Sequence, residues 1–383
     1  MSAPCGLAVP PVPSGAGPAD HPTPYLRLDL DQVARAYAGF AAELPGVDVH
    51  YAVKCNPDLR ILQRLHELGG GFEVASIAEL DTLVDLGVDP REVLCSNPVK
   101  PAAHIAAAAR AGVWRFAADS AAELAKLAEH APGAGVYARL RTAAGGSTVP
   151  SEGKFGVGWR QAAELLRAAR DAGLRPYGLA FHVGSQMLEP AAWDTAVEES
   201  GRVLRALEPA GIRLGMLDLG GGFPARYAGP AESQPPPLSD FAAVIEAAVR
   251  RHLPYRPGKL AIEPGRALVA EAGVMVATVI GVAERDGVRW AHLDVGAFNG
   301  FMEALESGNR LRFPVGDSRG SDRLARFHLT GPSCDSQDTI MFGVELSADL
   351  AVDDRVWLGT AGAYTTSYAS AFNGFPVPLT YAS

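Results

Sequence analysis

Lys54 closes the apolar stretch at 48–53 and is followed at once by Cys55, Asn56 and Pro57. Other short apolar stretches end in groups just as polar. Glu73 and Ser76 follow 72–75, Arg139 and Arg141 follow 136–140, and His182, Gly184 and Ser185 follow 179–183. Gly220, Gly221 and Gly222 follow 216–219, and Glu263, Pro264, Gly265 and Arg266 follow 260–262. Glycine amides, a serine hydroxyl and an arginine are the donors that a phosphate monoester requires. A lysine amine condenses with an aldehyde to give an imine. Together these groups specify pyridoxal 5'-phosphate better than any other common cofactor. Taken singly, each has an ordinary reading as well. Lys54 reads as a solvated strand end, His182 as a packed histidine, the glycines as a tight loop, Glu263 with Arg266 as an ion pair, and Glu79 as a helix cap.

These residues converge only if one architecture collects the strand ends. Eight short apolar runs, at 48–53, 72–75, 93–95, 114–117, 136–140, 179–183, 216–219 and 260–262, alternate with helical patterns. Asn56 before Pro57 offers a cap with proline in the first turn, and Ser76 with Glu79 and Ser120 with Glu123 form capping boxes. Leu59, Leu62, Leu65 and Leu68 make a stripe for one helix. The expected fold class is α/β, a (β/α)8 TIM barrel over 31–267 whose chemistry lies at the C-terminal strand ends. A doubly wound sheet is the competing arrangement. From about 268 the pattern turns to β-branched runs, at 274–282, 288–295, 323–330 and 355–358, so 25–30 with 268–383 reads as a mostly β domain. The stretch 142–153, rich in glycine, serine and threonine, reads as a mobile lid.

Composition narrows the partners. The 383 residues carry 34 basic and 43 acidic side chains, a net charge of -9, which disfavours nucleic acid and favours a small cation. Four cysteines without CxxC spacing suggest neither a disulfide framework nor a zinc ribbon, and the expected location is cytoplasmic. No HxxxH pair or His/Asp cluster has metal-ligand spacing, so no metal is expected. Residues 1–24 hold seven prolines and no lysine or arginine, and read as a disordered tail rather than a signal peptide. No apolar stretch is long enough for a membrane span.

The segments YAVKCNP (51–57), GFEVAS (71–76), FHVGSQ (181–186), LDLGGGFP (217–224), EPGR (263–266), GPSCDSQD (331–338), GAYT (362–365) and FNGF (372–375) carry a family likeness. In order and spacing they resemble the ornithine, lysine, arginine and diaminopimelate decarboxylases built on the alanine-racemase-type barrel, closest to the bacterial lysine/ornithine type. The likeness covers nearly the whole chain after the tail. It implies that Lys54 is the Schiff-base lysine, that His182 stacks on the pyridine ring, and that Ser185, Gly222, Arg266 and Tyr364 hold the phosphate. Glu73, Arg139, Gly221 and Gly265 complete the implied cofactor set. Glu263 would face the pyridine nitrogen, where racemases of this fold carry arginine. The likeness further implies a homodimer with shared active sites, in which Cys334 reprotonates the substrate α-carbon in the other subunit and Asp335 meets its distal amine.

The implied reaction converts L-ornithine or L-lysine to a diamine and carbon dioxide. Diaminopimelate or a specialised-pathway amino acid is the alternative substrate, and a non-catalytic homologue that binds partners is the alternative role. Diaminopimelate enzymes typically have glutamate after the cysteine, where this chain has Asp335. The segment 295–307 lacks the tyrosine–aspartate pair of eukaryotic ornithine decarboxylases. There Glu303 or Glu306 either contacts the distal ammonium or only solvates a helix face.

Overall fold

The computed structural model describes residues 21–142, 145–149 and 153–382. The expected tail thus lies outside the described residues up to position 20, as do positions 143–144 and 150–152 of the expected lid. The described chain forms two compact units. The first comprises Ala34–Pro224 and Pro236–Gly265; the second comprises the described residues before Ala34, Ala225–Pro235, and those from Arg266 on.

The first unit is a closed barrel of eight parallel strands: β1 (Asp48–Ala52), β2 (Gly71–Val74), β3 (Leu94–Cys95), β4 (Arg115–Ala118), β5 (Gly135–Arg139), β6 (Arg175–Ala180), β7 (Met216–Asp218) and β8 (Lys259–Ile262). Each is a short, largely buried run, as strands covered on both faces must be. Leu94, Ala117, Tyr137, Ala180, Met216 and Ala261 fill the interior, alternating large and small side chains. A Cβ on Gly178 would meet the Met216 carbonyl at 2.8 Å, so glycine there lets β6 and β7 approach.

Helix starts are set as the capping patterns predict at Ser76 and Ser120, whose hydroxyls each accept the amide of the glutamate three residues on at 3.3 Å. Glu79 also reaches back to accept the Ala75 amide, one residue before the cap, at 2.6 Å. The helix Leu59–Glu67 departs from expectation. Asp58, not Asn56, is its cap, accepting the Arg60 amide at 3.0 Å. Its buried face is Ile61, Leu62 and Leu65, whereas Leu59 is exposed, because a helix turns 3.6 residues per turn and a three-residue repeat drifts off the core face.

The expected lid contains a short strand. Ser147–Val149 pairs antiparallel with Ser185–Met187, Val149 facing Ser185. The segment that carries Ser185 is thereby tied to the stretch after β5.

The second unit is an eight-stranded sheet with β9 (Gly273–Arg285), β10 (Val288–Leu293), β11 (Val315–Asp317), β12 (Leu324–Thr330), β13 (Thr339–Ser347) and β14 (Arg355–Leu358) in the order β11-β14-β9-β10-β12-β13. β9 pairs with β14 over Met275–Thr278 and with β10 from Val279 on, with an irregularity between Val279 and Gly281. Tyr25–Leu28 pairs antiparallel with β9 and parallel with Leu379–Ala382. Among the described residues no helix is long and apolar enough to cross a membrane.

Candidate active site

Lys54 stands in the turn directly after β1, and its Nζ donates to Glu73 Oε2 at 2.7 Å. Glu73 is buried at the end of β2, while the Lys54 side chain is 43% exposed. Burial works against the ammonium, but Glu73 and Glu263 outweigh it and push the Lys54 amine up to about 12. Burial raises the Glu73 carboxyl while Lys54 pulls it down. Arg139, at the end of β5, lies over the Phe155 ring at 5.7 Å and adds positive charge to the same mouth.

Beyond β8, Glu263 is buried and accepts a hydrogen bond from the Ser96 hydroxyl, which also contacts the Tyr137 hydroxyl at 2.9 Å. Burial, then the neighbouring Asp218 carboxyl, pushes Glu263 up to about 8. Asp218, fully buried in β7, accepts the Gly220 amide on Oδ1 at 2.9 Å. Its Oδ2 has no hydrogen-bond partner among the described residues.

His182 follows β6 and accepts the Gly184 amide on Nδ1 at 2.9 Å. Burial, then Arg139 and Lys54, pushes it down to about 3, so it is neutral near pH 7. Its flat ring thus offers stacking surface without adding charge. The glycines beside it admit no side chain. A Cβ on Gly220 would drive into the Phe181 carbonyl, one on Gly221 would meet the Glu263 carbonyl at 2.6 Å, and one on Gly222 would drive into the Gly184 carbonyl. Gly220 and Gly222 also have positive φ, 67° and 107°. Gly265 meets Cys55, where a Cβ would come within 2.8 Å of the cysteine Cβ. Ser185 is half-buried beside this cradle, at the start of the strand paired with Val149.

In the second unit, Arg266 is buried and donates through Nη1 to Glu303 Oε2 at 2.8 Å and through Nη2 to Glu303 Oε1. Nη1 also donates to the Tyr227 hydroxyl at 2.7 Å. The guanidinium lies 5.1 Å from the Tyr364 ring centroid, and Tyr364 has a positive φ of 52°. Glu303 therefore does not merely solvate a helix face. Glu306, one turn further along Met302–Glu306, is exposed, and burial then the Glu303 charge raise its carboxyl. Cys334 and Asp335 are both exposed, Cys334 with its Sγ 3.9 Å from Asn373 Oδ1. Cys334 is therefore not packed as a small hydrophobe. Asp335 accepts the Gln337 amide at 2.8 Å, and the loop is pinned beneath by buried Asp338, which accepts the amides of Ala297 at 2.7 Å and Ser333 at 3.0 Å.

The barrel mouth fits a phosphorylated pyridine aldehyde. It offers one amine, a buried acid across from it, a neutral flat ring, and a glycine backbone that any Cβ would block. Among the described residues no group of three or more His, Cys, Asp and Glu is arranged to hold a metal ion. Sequence reasoning missed Ser96, Tyr137, Asp218, Tyr227 and Asp338. Ser96 was within reach, since it follows the 93–95 run as Glu73 follows its own.

Comparison with known proteins agrees with this chemistry. The family model described as "pyridoxal-dependent decarboxylase, pyridoxal binding domain" matches residues 30–270. The lysine/ornithine decarboxylase of Selenomonas ruminantium is 36% identical over 357 residues, covering 92% of this chain and 88% of that protein. The ornithine decarboxylase of Schizosaccharomyces pombe is 32% identical over 372 residues, covering 94% and 82%. The crystal structure of a lysine/ornithine decarboxylase from Vibrio vulnificus, complexed with cadaverine, matches with a TM-score of 0.85 at 32% identity, covering 94% of each chain.

Proposed function

The chain belongs to the pyridoxal-dependent decarboxylase family, and from that premise we propose that it converts L-lysine or L-ornithine to the corresponding diamine and carbon dioxide. The observation that carries this reading is the pairing of Lys54 with Glu73 across from Glu263 in one barrel mouth. When bound, pyridoxal phosphate supplies an electron sink for the pair of electrons left on the α-carbon as carbon dioxide departs.

The protein's residues do the rest. Lys54 provides the amine that holds the cofactor aldehyde. Glu263 would hold a proton at the pyridine nitrogen, and His182, being neutral, would offer its ring for stacking without competing for that proton. Ser185 and the amides at Gly221 and Gly222 are assigned to the phosphate, with Arg266 and Tyr364 as the family resemblance implies. Glu73, Arg139 and Gly265 shape the remaining walls.

We infer further that the active form is a homodimer in which Cys334 and Asp335 serve the partner's site. Both are exposed in this protomer, as residues offered to another subunit must be. Cys334 then returns a proton to the α-carbon, and Asp335 or Glu306 meets the distal ammonium. Asp335, where diaminopimelate enzymes typically carry glutamate, favours a substrate with a simple terminal amine over diaminopimelate.

Carbon dioxide release from a panel of L-lysine, L-ornithine, L-arginine and meso-diaminopimelate tests the proposal. Turnover of lysine or ornithine above the other two is expected. Preference for diaminopimelate, or no turnover of any of the four by cofactor-loaded protein, overturns it.

A further inference from the structure

We propose that Asp218 and Glu263 share a single proton beneath the barrel mouth, so that the pair, rather than Glu263 alone, sets the protonation of a ring nitrogen bound against Glu263. The inference rests on the reading that Glu263 faces the pyridine nitrogen. Asp218 has no part in that reading.

The geometry is that of two acceptors in want of a donor. The Asp218 and Glu263 carboxyls are in hydrogen-bond contact, and both are buried. Oδ1 of Asp218 receives the Gly220 amide, while Oδ2 has no partner among the described residues. Glu263 receives the Ser96 hydroxyl. Two ionised carboxylates in contact away from water repel each other, and one bound proton both removes the repulsion and supplies the missing donor.

The other charged and titratable groups facing the pair do not replace that proton. Lys54 draws Glu263 toward ionisation, yet its hydrogen bond goes to Glu73. Arg139 acts on Asp218 in the same sense but at longer range, and Glu73 acts against it. Tyr137 and Cys95 are held neutral by burial, and His182 is neutral too. Burial, then the Asp218 charge, pushes Glu263 up to about 8, while burial raises Asp218 against the hydrogen bond to Glu263 that lowers it. The pair is therefore best described as one acid with two sites.

The consequence is a fixed proton count. The free wild-type pair holds one proton near pH 7, whereas an asparagine at 218 removes the repulsion and shifts Glu263 toward ionisation, with burial still acting against its charge. Once a protonated ring nitrogen sits against Glu263, both proteins hold the same single proton. Relative to wild type, Asp218→Asn must take up more protons on binding cofactor, up to one per site.

The test is calorimetric titration of pyridoxal phosphate into cofactor-stripped full-length protein near pH 7, in two buffers of different ionisation enthalpy. The expected result is a greater proton uptake by Asp218→Asn than by wild type, by up to one proton per site. Equal proton counts overturn the proposal. Should Asp218→Asn not fold, infrared spectroscopy of the stripped wild type provides the second measurement. A protonated-carboxyl band that Glu263→Gln alters and that fades as pH rises through about 8 is expected. Absence of that band at pH 6–7 overturns the proposal. If pyridoxal phosphate does not bind the wild type at all, the cofactor reading fails, and the infrared band still decides whether the pair shares a proton.

Discussion

Glu303 closes the guanidinium of Arg266 end-on, with each carboxylate oxygen taking a different terminal nitrogen, in a pair whose side chains are 2% and 5% exposed. The sequence and its family likeness give the arginine to a phosphate and leave Glu303 between a substrate ammonium and a solvated helix face. Their charges instead answer one another. Any phosphate that Arg266 also holds must approach by another edge of the guanidinium, and Glu303 has no uncompensated charge for a diamine.

Glu303→Gln should therefore behave as the loss of a buried ion-pair partner, destabilising the fold by about 3–5 kcal/mol because the arginine is left uncompensated. The KM for lysine and ornithine at saturating cofactor should stay within about twofold. Thermal melting and steady-state kinetics on one preparation check both. An unchanged melting temperature with a tenfold rise in KM would return Glu303 to the substrate. Glu306→Gln, on the exposed end of the same helix, is the variant expected to raise KM.

The charge on Lys54 predicts slow loading of the cofactor at neutral pH. Only the neutral amine attacks an aldehyde, and with the ammonium held up to about 12 its neutral fraction grows about tenfold per pH unit. Stopped-flow capture of pyridoxal phosphate should accelerate accordingly between pH 7 and 9. Glu73→Gln removes the partner that holds the proton and should speed capture at pH 7, while Lys54→Ala should lose the visible absorption of the bound cofactor. A flat pH profile would show that deprotonation of Lys54 does not limit loading.

For Glu263→Gln, turnover should fall on the order of 10²-fold, because an amide cannot hold a pyridinium proton by charge. Cofactor affinity should change by only a few-fold, since phosphate and lysine contacts remain. Equal turnover in the two proteins rules out a tuning role for this carboxylate.

Mixing Lys54→Ala and Cys334→Ala homodimers tests whether the sites are shared. Random exchange makes about half the dimers mixed, and twofold symmetry then gives each mixed dimer one intact site. Activity should recover to about a quarter of wild type. Exchange seen by mass spectrometry without recovery would place both residues in the same subunit's site.

At the other end of the barrel, His50 is buried in β1 with Nε2 unpartnered among the described residues. Burial, then Lys259 and Arg115, pushes it down to about 3 from an ordinary 6.5. A lowered pKa makes its contribution to stability complete above about 6.5 and progressively lost on acidification toward 3, at about 1.4 kcal/mol per pH unit. Thermal melting of wild type should fall across that window, and His50→Leu should flatten the slope. Parallel slopes would show that other groups govern the acid limit.

The barrel was legible because each strand is a short apolar run stopped by a polar residue, and that punctuation survives without any knowledge of pairing. The same device found Lys54, Glu73, His182 and Glu263. It missed Asp218 because the residue lies inside the run Leu217–Asp218–Leu219, at an interior position where nothing local marks an ionisable group as functional. Tyr137 is hidden in the same way. The Arg266–Glu303 pair joins positions 37 residues apart with no shared motif, and the strand Ser147–Val149 exists only by pairing with Ser185–Met187. Non-local contacts of this kind leave no periodicity to read.

The glycine run at 220–222 packs against the backbone carbonyls of Phe181, Glu263 and Gly184, which follow two different barrel strands. Tolerance to mutation around the mouth is therefore uneven. Exchange of the Ser96 hydroxyl alters its bonds to Glu263 and Tyr137, and exchange of the Tyr137 hydroxyl alters the bond to Ser96, without displacing main chain. A Cβ anywhere in the glycine run moves main chain instead, and carries His182, Ser185 or Glu263 with it. Directed evolution toward other substrates will find its variation in the loops of the β domain, while the junction of β6, β7 and β8 stays closed to stepwise change.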